Sequence, residues 1–258
     1  MNRKTLPLAM LLIFAILVSE ALAEPVEFKG VGLTLTGKLN KPDGDGPFPA
    51  VVLLHATTGI TSSYDVWMER FKSWKYVTLL VDTFTPRGIK EETGYPFKVS
   101  RESRIQDAYA ARSYLTSFKY VDSKRIAVMG WSYGGVTTVS AVTTESGIKS
   151  QEDYFRAGIA FYPGCSQEVR ATLKAPLLIL IGEEDSWTPP AKCKELQNTL
   201  TLEQPSNELL FKIYPKTYHG FDIEGMDRKA GRHQLKYNPE SAADAIEQVK
   251  SFLEKHMK

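Results

Sequence analysis

The stretch that most constrains this chain is a glycine-rich turn around one serine, Gly130-Trp131-Ser132-Tyr133-Gly134-Gly135. It follows a short apolar run, residues 125–129, that is typical of a buried strand. Residues 136–142 after it are long enough for a helix, although many are β-branched. In such a strand–turn–helix arrangement a serine lies on a sharp, strained turn, where side chains two positions away would collide with neighbouring backbone. The pattern therefore predicts that the Ser132 hydroxyl stands above a sheet; the alternative is a glycine-rich connection with an incidental serine.

Apolar, strand-like runs alternate with helical patterns along the rest of the chain. A hairpin is predicted from residues 26–28 and 33–39, and further strands from residues 50–55, 77–81, 157–161, 176–181 and 209–214. Helices are predicted for residues 64–74, for residues 100–117 and from Asn238-Pro239-Glu240 onward, where Asn238 is an N-cap. This alternation predicts one α/β domain whose mostly parallel sheet carries helices on both faces.

The first residues have the pattern of an export signal. Arg3 and Lys4 precede an apolar run over residues 6–18, and Ala21-Leu22-Ala23 gives small residues at a cleavage point. The alternative is an uncleaved membrane anchor, but the run contains Pro7 and falls short of the roughly 20 residues that a spanning helix needs. We therefore predict a signal peptide over residues 1–23, a single domain over residues 24–258, and an exported protein, periplasmic or secreted, without stable membrane insertion.

Charge and cysteine content bear on the expected partners and on a possible disulfide. The chain has 32 basic and 30 acidic side chains, a net charge of +2, and no basic stripe, so nucleic acid is not an expected partner. Its two cysteines, Cys165 and Cys193, can form a disulfide in an oxidising compartment. The alternative is two free thiols.

Two predicted strands end in loops with acidic and imidazole groups. The strand ending at Ile181 leads into Gly182-Glu183-Glu184-Asp185, and the strand ending at Tyr214 leads to Tyr218-His219-Gly220-Phe221. Because sites gather at the carboxyl ends of parallel strands, Ser132, Asp185 and His219 are expected to meet there, in the chain order of a serine nucleophile, acid and base. Glu183 and Glu184 are alternatives to Asp185, which lies farther from the strand end and can turn back towards His219.

A serine nucleophile also requires two backbone N–H groups for the oxyanion, one from the residue after it. That residue is Tyr133, and Thr57 is the expected second donor, with Thr58 as the alternative. Five side chains at loop ends are candidates for the substrate pocket, although aromatic residues there are as often packing: Phe84, Arg87, Tyr95, Trp131 and Trp187. Of the other histidines, His55 is expected to be structural or to support the site, and His233 and His256 to lie at the surface or in packing.

Five blocks in this order resemble the dienelactone hydrolase family: residues 51–55 with Gly59, residues 81–88, residues 130–135, residues 182–185 and residues 218–221. The resemblance covers nearly the whole chain after residue 23. It implies an α/β-hydrolase fold of about eight strands without a large cap domain, and hydrolysis of an ester or lactone without a cofactor or metal. It also supports Thr57 and Tyr133 as oxyanion donors.

The chain departs from the best-known members of that family at three places. They have a cysteine nucleophile where this chain has Ser132, and a glutamate where it has Ala56. They also hold a substrate carboxylate with two arginines; Arg87 matches the first, but Asp222 and Ile223 stand near the second. A dienelactone is therefore not the expected substrate.

The sequence thus predicts a serine hydrolase that cleaves a small-molecule carboxylic ester or lactone through an acyl-enzyme. One alternative is a prolyl-peptidase-like serine peptidase, since those catalytic domains have the same order of site residues. The other is a non-catalytic binding protein that retains the fold.

Overall fold

The computed structural model describes residues 23–91, 97–143, 154–165, 172–202 and 207–258. The strands in these ranges are β1 (Glu24–Lys29), β2 (Thr34–Asn40), β3 (Phe48–Leu54), β4 (Val77–Asp82), β5 (Val121–Trp131), β6 (Gly158–Phe161), β7 (Thr172–Leu173), β8 (Leu177–Gly182), β9 (Thr201–Leu202), β10 (Leu209–Tyr214), β11 (Asp227–Ala230) and β12 (His233–Lys236). The helices are α1 (Ser63–Ser73), α2 (Arg101–Thr116), α3 (Tyr133–Thr143), α4 (Pro190–Thr199) and α5 (Pro239–His256), with a 3₁₀ turn at Thr85–Arg87.

Within the described ranges, eight strands form one sheet in the order β1-β2-β4-β3-β5-β6-β8-β10. Strands β1 and β2 pair as an antiparallel hairpin, and β2 is also antiparallel to β4. The pairs from β4 to β10 are all parallel. The predicted α/β-hydrolase fold, with its mostly parallel sheet and its hairpin at the edge, is confirmed, and the part of the chain that the structure describes contains no large cap domain.

The central strands are buried along most of their length. Every residue of β8 and β6 is buried, as are the last five residues of β3. Because successive side chains of a strand point to opposite faces, this pattern requires that both faces of the sheet be covered. Helices α2 and α3 contact each other and β5, while α1 packs on β4 and α5 on β8.

Two helices begin at residues whose side chains cap them, and the Asn238 cap is the one that the sequence predicts. The Ser100 side chain accepts a hydrogen bond from the Ser103 N–H at the start of α2. Asn238 accepts from the Ser241 N–H at 3.1 Å, and Pro239 is the first residue of α5. Both side chains satisfy a backbone donor that the helix itself leaves unpaired. Within the described ranges, every helix is too short or too polar to cross a bilayer.

The connections at the carboxyl end of the sheet differ in length and carry the candidate residues. Strand β5 leads directly into Ser132, and β8 and β10 lead to Asp185 and His219. The His219 loop continues into the β11–β12 hairpin, and His219 forms an isolated bridge with Leu235 of β12. The hairpin thus braces the loop that carries the histidine.

Candidate active site

Ser132 occupies the strained turn that the sequence predicts. It lies between β5 and α3 with a φ angle of 52°, in the left-handed region that side chains other than glycine rarely adopt. A Cβ atom on Gly130 would overlap the Gly134 carbonyl, and one on Gly134 would overlap the Leu54 carbonyl. The turn therefore needs glycine at both positions, because the backbone of β3 and of the turn itself occupies the space.

Three side chains form a continuous hydrogen-bonded chain over this edge of the sheet. His219 Nε2 lies 3.1 Å from Ser132 Oγ, and His219 Nδ1 lies 2.7 Å from Asp185 Oδ2. His219 and Asp185 are buried, at 4% and 2% exposure, whereas Ser132 is partly exposed. Because a carboxylate only accepts hydrogen bonds, Nδ1 must donate to Asp185, which leaves the Nε2 lone pair directed at the serine hydroxyl.

The loop between β8 and α4, residues 183–189, is called the acid loop. Of its three carboxylates, Asp185 is the one that faces His219. Glu183 and Glu184 are exposed, while Asp185 turns inward. Its Oδ1 accepts from the N–H groups of Trp187 and Thr188, each at 2.9 Å, and the Thr188 hydroxyl lies 2.8 Å from Oδ2. Burial opposes ionisation of Asp185, but the hydrogen bond and charge of His219 and the Thr188 donors outweigh it and hold the pKa of the carboxyl below its ordinary value.

The two expected oxyanion donors come from the start of α3 and from the loop after β3. Tyr133 is the first residue of α3, so its N–H belongs to the positive end of a helix dipole. Its phenol hydroxyl donates to the Val99 carbonyl at 3.0 Å, which ties the side chain to the segment before α2. Thr57 and Thr58, in the loop after β3, both line the same cavity as Ser132.

A cavity of about 530 Å³ opens beside Ser132 and runs between α1, the segment after His219 and the start of α5. Its wall includes Trp131 and Trp187, two of the predicted pocket residues. Trp187 is 42% exposed, and its ring centroid lies 5.3 Å from that of His219. The cavity is also lined by apolar and aromatic side chains from several segments of the chain: Tyr64, Val66, Trp67, Tyr162, Ile223, Met226, Leu235, Tyr237 and Ile246.

The structure does not bring two other predicted pocket residues to this cavity. Arg87 donates to both carboxylate oxygens of Asp107, at 2.8 and 2.9 Å, and to the Thr83 carbonyl at 2.7 Å. Phe84 is 1% exposed and packs edge-on against the His55 ring. Both expectations are wrong, because the Arg87 side chain after β4 turns towards Asp107 of α2 and the Phe84 side chain packs into the core. Tyr95, the fifth candidate, lies outside the described residues.

Asp222 is a site residue whose role the sequence did not indicate. Oδ2 accepts from the indole N–H groups of Trp131 and Trp67, at 2.8 and 3.2 Å, and Oδ1 accepts from the Tyr162 hydroxyl at 2.8 Å. Burial raises the pKa of the Asp222 carboxyl, although these three hydrogen bonds oppose the shift. Its partners lie up to 155 positions away, so no local pattern could have revealed the cluster.

Tyr162 links this cluster to the histidine. It follows β6 with a positive φ angle of 38°, and its ring centroid lies 4.4 Å from that of His219. The Thr188 hydroxyl, which contacts Asp185, also lies 3.1 Å from the Tyr162 carbonyl. Tyr162 thus packs against the base and contacts the acid loop, a role for which its sequence context gives no signal.

Cys165 and Cys193 are joined by a disulfide with Cα atoms 4.9 Å apart. The bond links the segment after β6 to α4, which begins directly after the acid loop. It therefore connects the two segments that carry Tyr162 and Asp185.

The other three histidines bind groups other than Ser132. His233 Nδ1 is 3.0 Å from the Ser186 hydroxyl and its ring stacks on Trp187, while His256 binds Glu208 at 2.7 Å. His55 is fully buried beneath the loop after β3. Within the described ranges, no cluster of three or more His, Cys, Asp or Glu side chains could hold a metal ion.

Comparison with known proteins agrees with this geometry. Residues 35–257 match the family model described as the dienelactone hydrolase family. The chain is 24% identical to a Synechocystis sp. protein provisionally named carboxymethylenebutenolidase, over 88% of this chain and 94% of that one.

Two solved structures have the same fold. The provisionally named dienelactone hydrolase of Klebsiella pneumoniae superposes with a TM-score of 0.72 at 19% identity, covering 90% of this chain and 97% of that one. The propionate-bound esterase Est2 of Thermogutta terrifontis gives a TM-score of 0.64 at 18% identity, covering 91% of this chain and 94% of that one. The family match spans most of the sequence, and the chain belongs to the dienelactone hydrolase family of ester and lactone hydrolases.

Proposed function

We propose that this hydrolase cleaves a small-molecule carboxylic ester or lactone through a covalent acyl-serine intermediate. The observation that carries the proposal is the hydrogen-bonded chain from Ser132 through His219 to Asp185, which begins at a serine on a strained turn. A serine hydroxyl is a weak nucleophile at neutral pH and needs an adjacent base. His219, held by an ionised Asp185, provides that base.

In the proposed acylation, Ser132 Oγ attacks the ester carbonyl carbon while His219 Nε2 takes the hydroxyl proton. The carbonyl oxygen becomes an oxyanion and accepts hydrogen bonds from the backbone N–H groups of Tyr133 and Thr57. The tetrahedral intermediate collapses, the carbon–oxygen bond to the alcohol breaks, and His219 returns the proton to the leaving oxygen. Asp185 stabilises the imidazolium between the two transfers.

Deacylation repeats the steps with water. His219 removes a proton from a water molecule, the hydroxide attacks the acyl carbon, and the bond to Ser132 Oγ breaks as the proton returns to the serine. A carboxylic acid leaves and the enzyme is restored. In a lactone the alcohol and the acid are parts of one molecule, so the product is a hydroxy acid.

The cavity supports a small organic substrate. Its volume of about 530 Å³ and its aromatic wall suit a compact ester or lactone. The two arginines that bind a substrate carboxylate in the best-known family members have no counterpart at the matching places. Arg87, at the first place, binds Asp107, and the second place is near Asp222, an acid that accepts three hydrogen bonds. The name of the Thermogutta protein, an esterase with bound propionate, also favours a carboxylic ester.

The test is a screen of the protein against activated esters of graded acyl length and against lactones, with Ser132→Ala beside it. We expect turnover by the native protein and a loss of at least about 10⁴-fold in kcat in the variant. A fluorophosphonate probe should label the native protein at Ser132. Unchanged turnover in Ser132→Ala would overturn the assignment.

The same screen separates the two alternatives. Release of p-nitroaniline from aminoacyl anilides without ester hydrolysis would identify a peptidase. A folded protein that neither turns over esters nor reacts with the probe would be a binding protein with this fold.

We also propose that the protein is exported after cleavage near Ala23. The pattern of its first residues and the Cys165–Cys193 disulfide support this, because disulfides persist in oxidising compartments. Expression in a bacterial host followed by fractionation and N-terminal sequencing tests it. The expected product starts at Glu24 outside the cytoplasm, and an uncleaved cytoplasmic chain would contradict the proposal.

A further inference from the structure

His55 is a fully buried residue directly after β3, and its two ring nitrogens have different partners. Nδ1 lies 2.7 Å from the Ala56 carbonyl oxygen, and the Thr83 backbone N–H points at Nε2 from 3.2 Å. A backbone N–H can only donate, so Nε2 must be the unprotonated nitrogen. The ring proton therefore sits on Nδ1 and is donated to Ala56.

The ring is held in this neutral form. Burial, together with the nearby Arg104 guanidinium, lowers the pKa of His55 to about 3. The tautomer is thus fixed by the Thr83 N–H, and the charge is fixed by the surroundings. His55 cannot serve as a base at neutral pH while its acceptor nitrogen is occupied.

The Ala56 carbonyl and the Thr57 N–H belong to the same peptide group. In a trans peptide these two bonds point in opposite directions, so fixing one fixes the other. The Ala56 carbonyl also accepts from the Gly59 N–H at 3.2 Å, and the Ala56 N–H donates to the Tyr64 hydroxyl at 2.9 Å. The peptide groups on both sides of Ala56 are therefore held in place, and Thr57 lines the cavity beside Ser132.

We infer that His55 is a positioning residue for the oxyanion: its Nδ1–H holds the Ala56 carbonyl and thereby aims the Thr57 N–H at the reacting carbonyl. The inference rests on the proposed function. A purely structural role is the alternative, in which His55 matters because its Nε2 ties β3 to the end of β4 through Thr83. The two roles use different nitrogens and can be separated.

Two substitutions of His55 each keep the hydrogen bond of one ring nitrogen and remove that of the other. The amide nitrogen of His55→Asn falls near the place of Nδ1, so this variant keeps the donor to Ala56 and loses the acceptor for Thr83. The amide oxygen of His55→Gln reaches the place of Nε2, so it keeps the acceptor and loses the donor. Both variants lose one buried hydrogen bond and are expected to lower the melting temperature by similar amounts.

The decisive comparison is between the kcat values of the two His55 variants. They are measured by steady-state kinetics with the best activated ester of the screen, well below the melting temperatures of the variants. We expect kcat to fall at least about 30-fold in His55→Gln and at most about threefold in His55→Asn, with KM within about threefold in both, because the oxyanion forms only in the transition state. The His256→Asn and His256→Gln pair, on α5 away from the cavity, serves as the control and should leave kcat unchanged.

Equal kcat values in the two His55 variants, or a larger loss in His55→Asn, would overturn the inference. If either variant fails to fold, two measurements replace it. Tyr64→Phe removes the partner of the Ala56 N–H and should also lower kcat more than it raises KM; a KM effect alone counts against the inference. Nitrogen-15 NMR of the native protein should show a proton on His55 Nδ1, and a proton on Nε2 would overturn it.

Failure of the proposed function has a different signature. A native protein without ester turnover and without labelling of Ser132 would remove the reaction itself, and the oxyanion role of His55 with it. An active native protein whose two His55 variants behave alike would remove only the positioning role.

Discussion

At the scale of single residues, the acid is the least obvious member of the proposed triad, because three carboxylates follow each other. The structure buries Asp185 against His219 and leaves Glu184 exposed. We predict that Asp185→Asn lowers kcat by about 10³- to 10⁴-fold, because an amide no longer stabilises the imidazolium or fixes its tautomer. Glu184→Gln is the matched control and should change kcat by less than twofold. A comparable loss in the control would place the acid elsewhere.

The same carboxylate makes stability depend on pH in a predictable direction. Asp185 has a pKa below its ordinary value in the folded protein, so the unfolded chain takes up its proton first as pH falls. The stabilisation from its ionised form is complete above the pKa of the unfolded carboxyl, about 3.9, and is lost as pH falls through the lower folded value. Urea unfolding of native protein and Asp185→Asn should therefore give a constant difference at neutral pH that shrinks below about pH 4. A difference that grows in acid would contradict the sign.

Residues of the site differ in how far sequence could identify them. That Ser132, Asp185 and His219 lie close together was predictable, because each follows a strand whose apolar run is clear and strand ends converge in a parallel sheet. Arg87 also follows such a strand, but its guanidinium binds Asp107 on α2. The direction of that side chain depends on a residue 20 positions away, so the local sequence does not predict it.

At the scale of secondary-structure elements, Asp222 links three parts of the fold by hydrogen bonds. Its carboxylate receives hydrogen bonds from Trp67 on α1, Trp131 at the end of β5 and Tyr162 after β6. We predict that Asp222→Ala lowers the free energy of unfolding by about 3 kcal/mol, because it leaves three donors without their acceptor. Chemical denaturation measures the change.

Glu224→Ala is the control for this prediction, since Glu224 is an exposed acid two positions away. Its expected effect is within about 0.5 kcal/mol. If Asp222→Ala proved as stable as the native protein, the hydrogen bonds to the Asp222 carboxylate would make no net contribution to the free energy of unfolding. A loss of similar size in Glu224→Ala would point to the segment as a whole rather than to the carboxylate.

The predicted elements agree best with the structure where the core dictates them. The strand predicted over residues 209–214 has those bounds, and the helix predicted over residues 64–74 is displaced by one residue. No sequence pattern predicts the hairpin of β11 and β12, because Asp227–Ala230 is exposed or partly exposed and lacks the alternation of a half-buried strand. It forms because Leu235 is buried next to the His219 loop, a contact between distant segments.

At the scale of the whole molecule, one covalent link joins two segments of the site. The Cys165–Cys193 disulfide closes a loop with a sequence separation of 28 residues. A loop of this size is expected to contribute about 3 kcal/mol, mainly by restricting the unfolded chain. Its effect should therefore appear in stability much more than in catalysis, because Ser132, His219 and Asp185 keep their own hydrogen bonds in the folded state.

The double substitution Cys165→Ala, Cys193→Ala tests this separation. We expect the free energy of unfolding to fall by about 3 kcal/mol while kcat at moderate temperature stays within about threefold of the native value. Reductant supplies the control: it should bring the native protein down to the stability of the variant and leave the variant unchanged. If kcat fell steeply while the variant remained folded, the link would be holding the acid loop in its active position, and its role would belong to the site rather than to the fold.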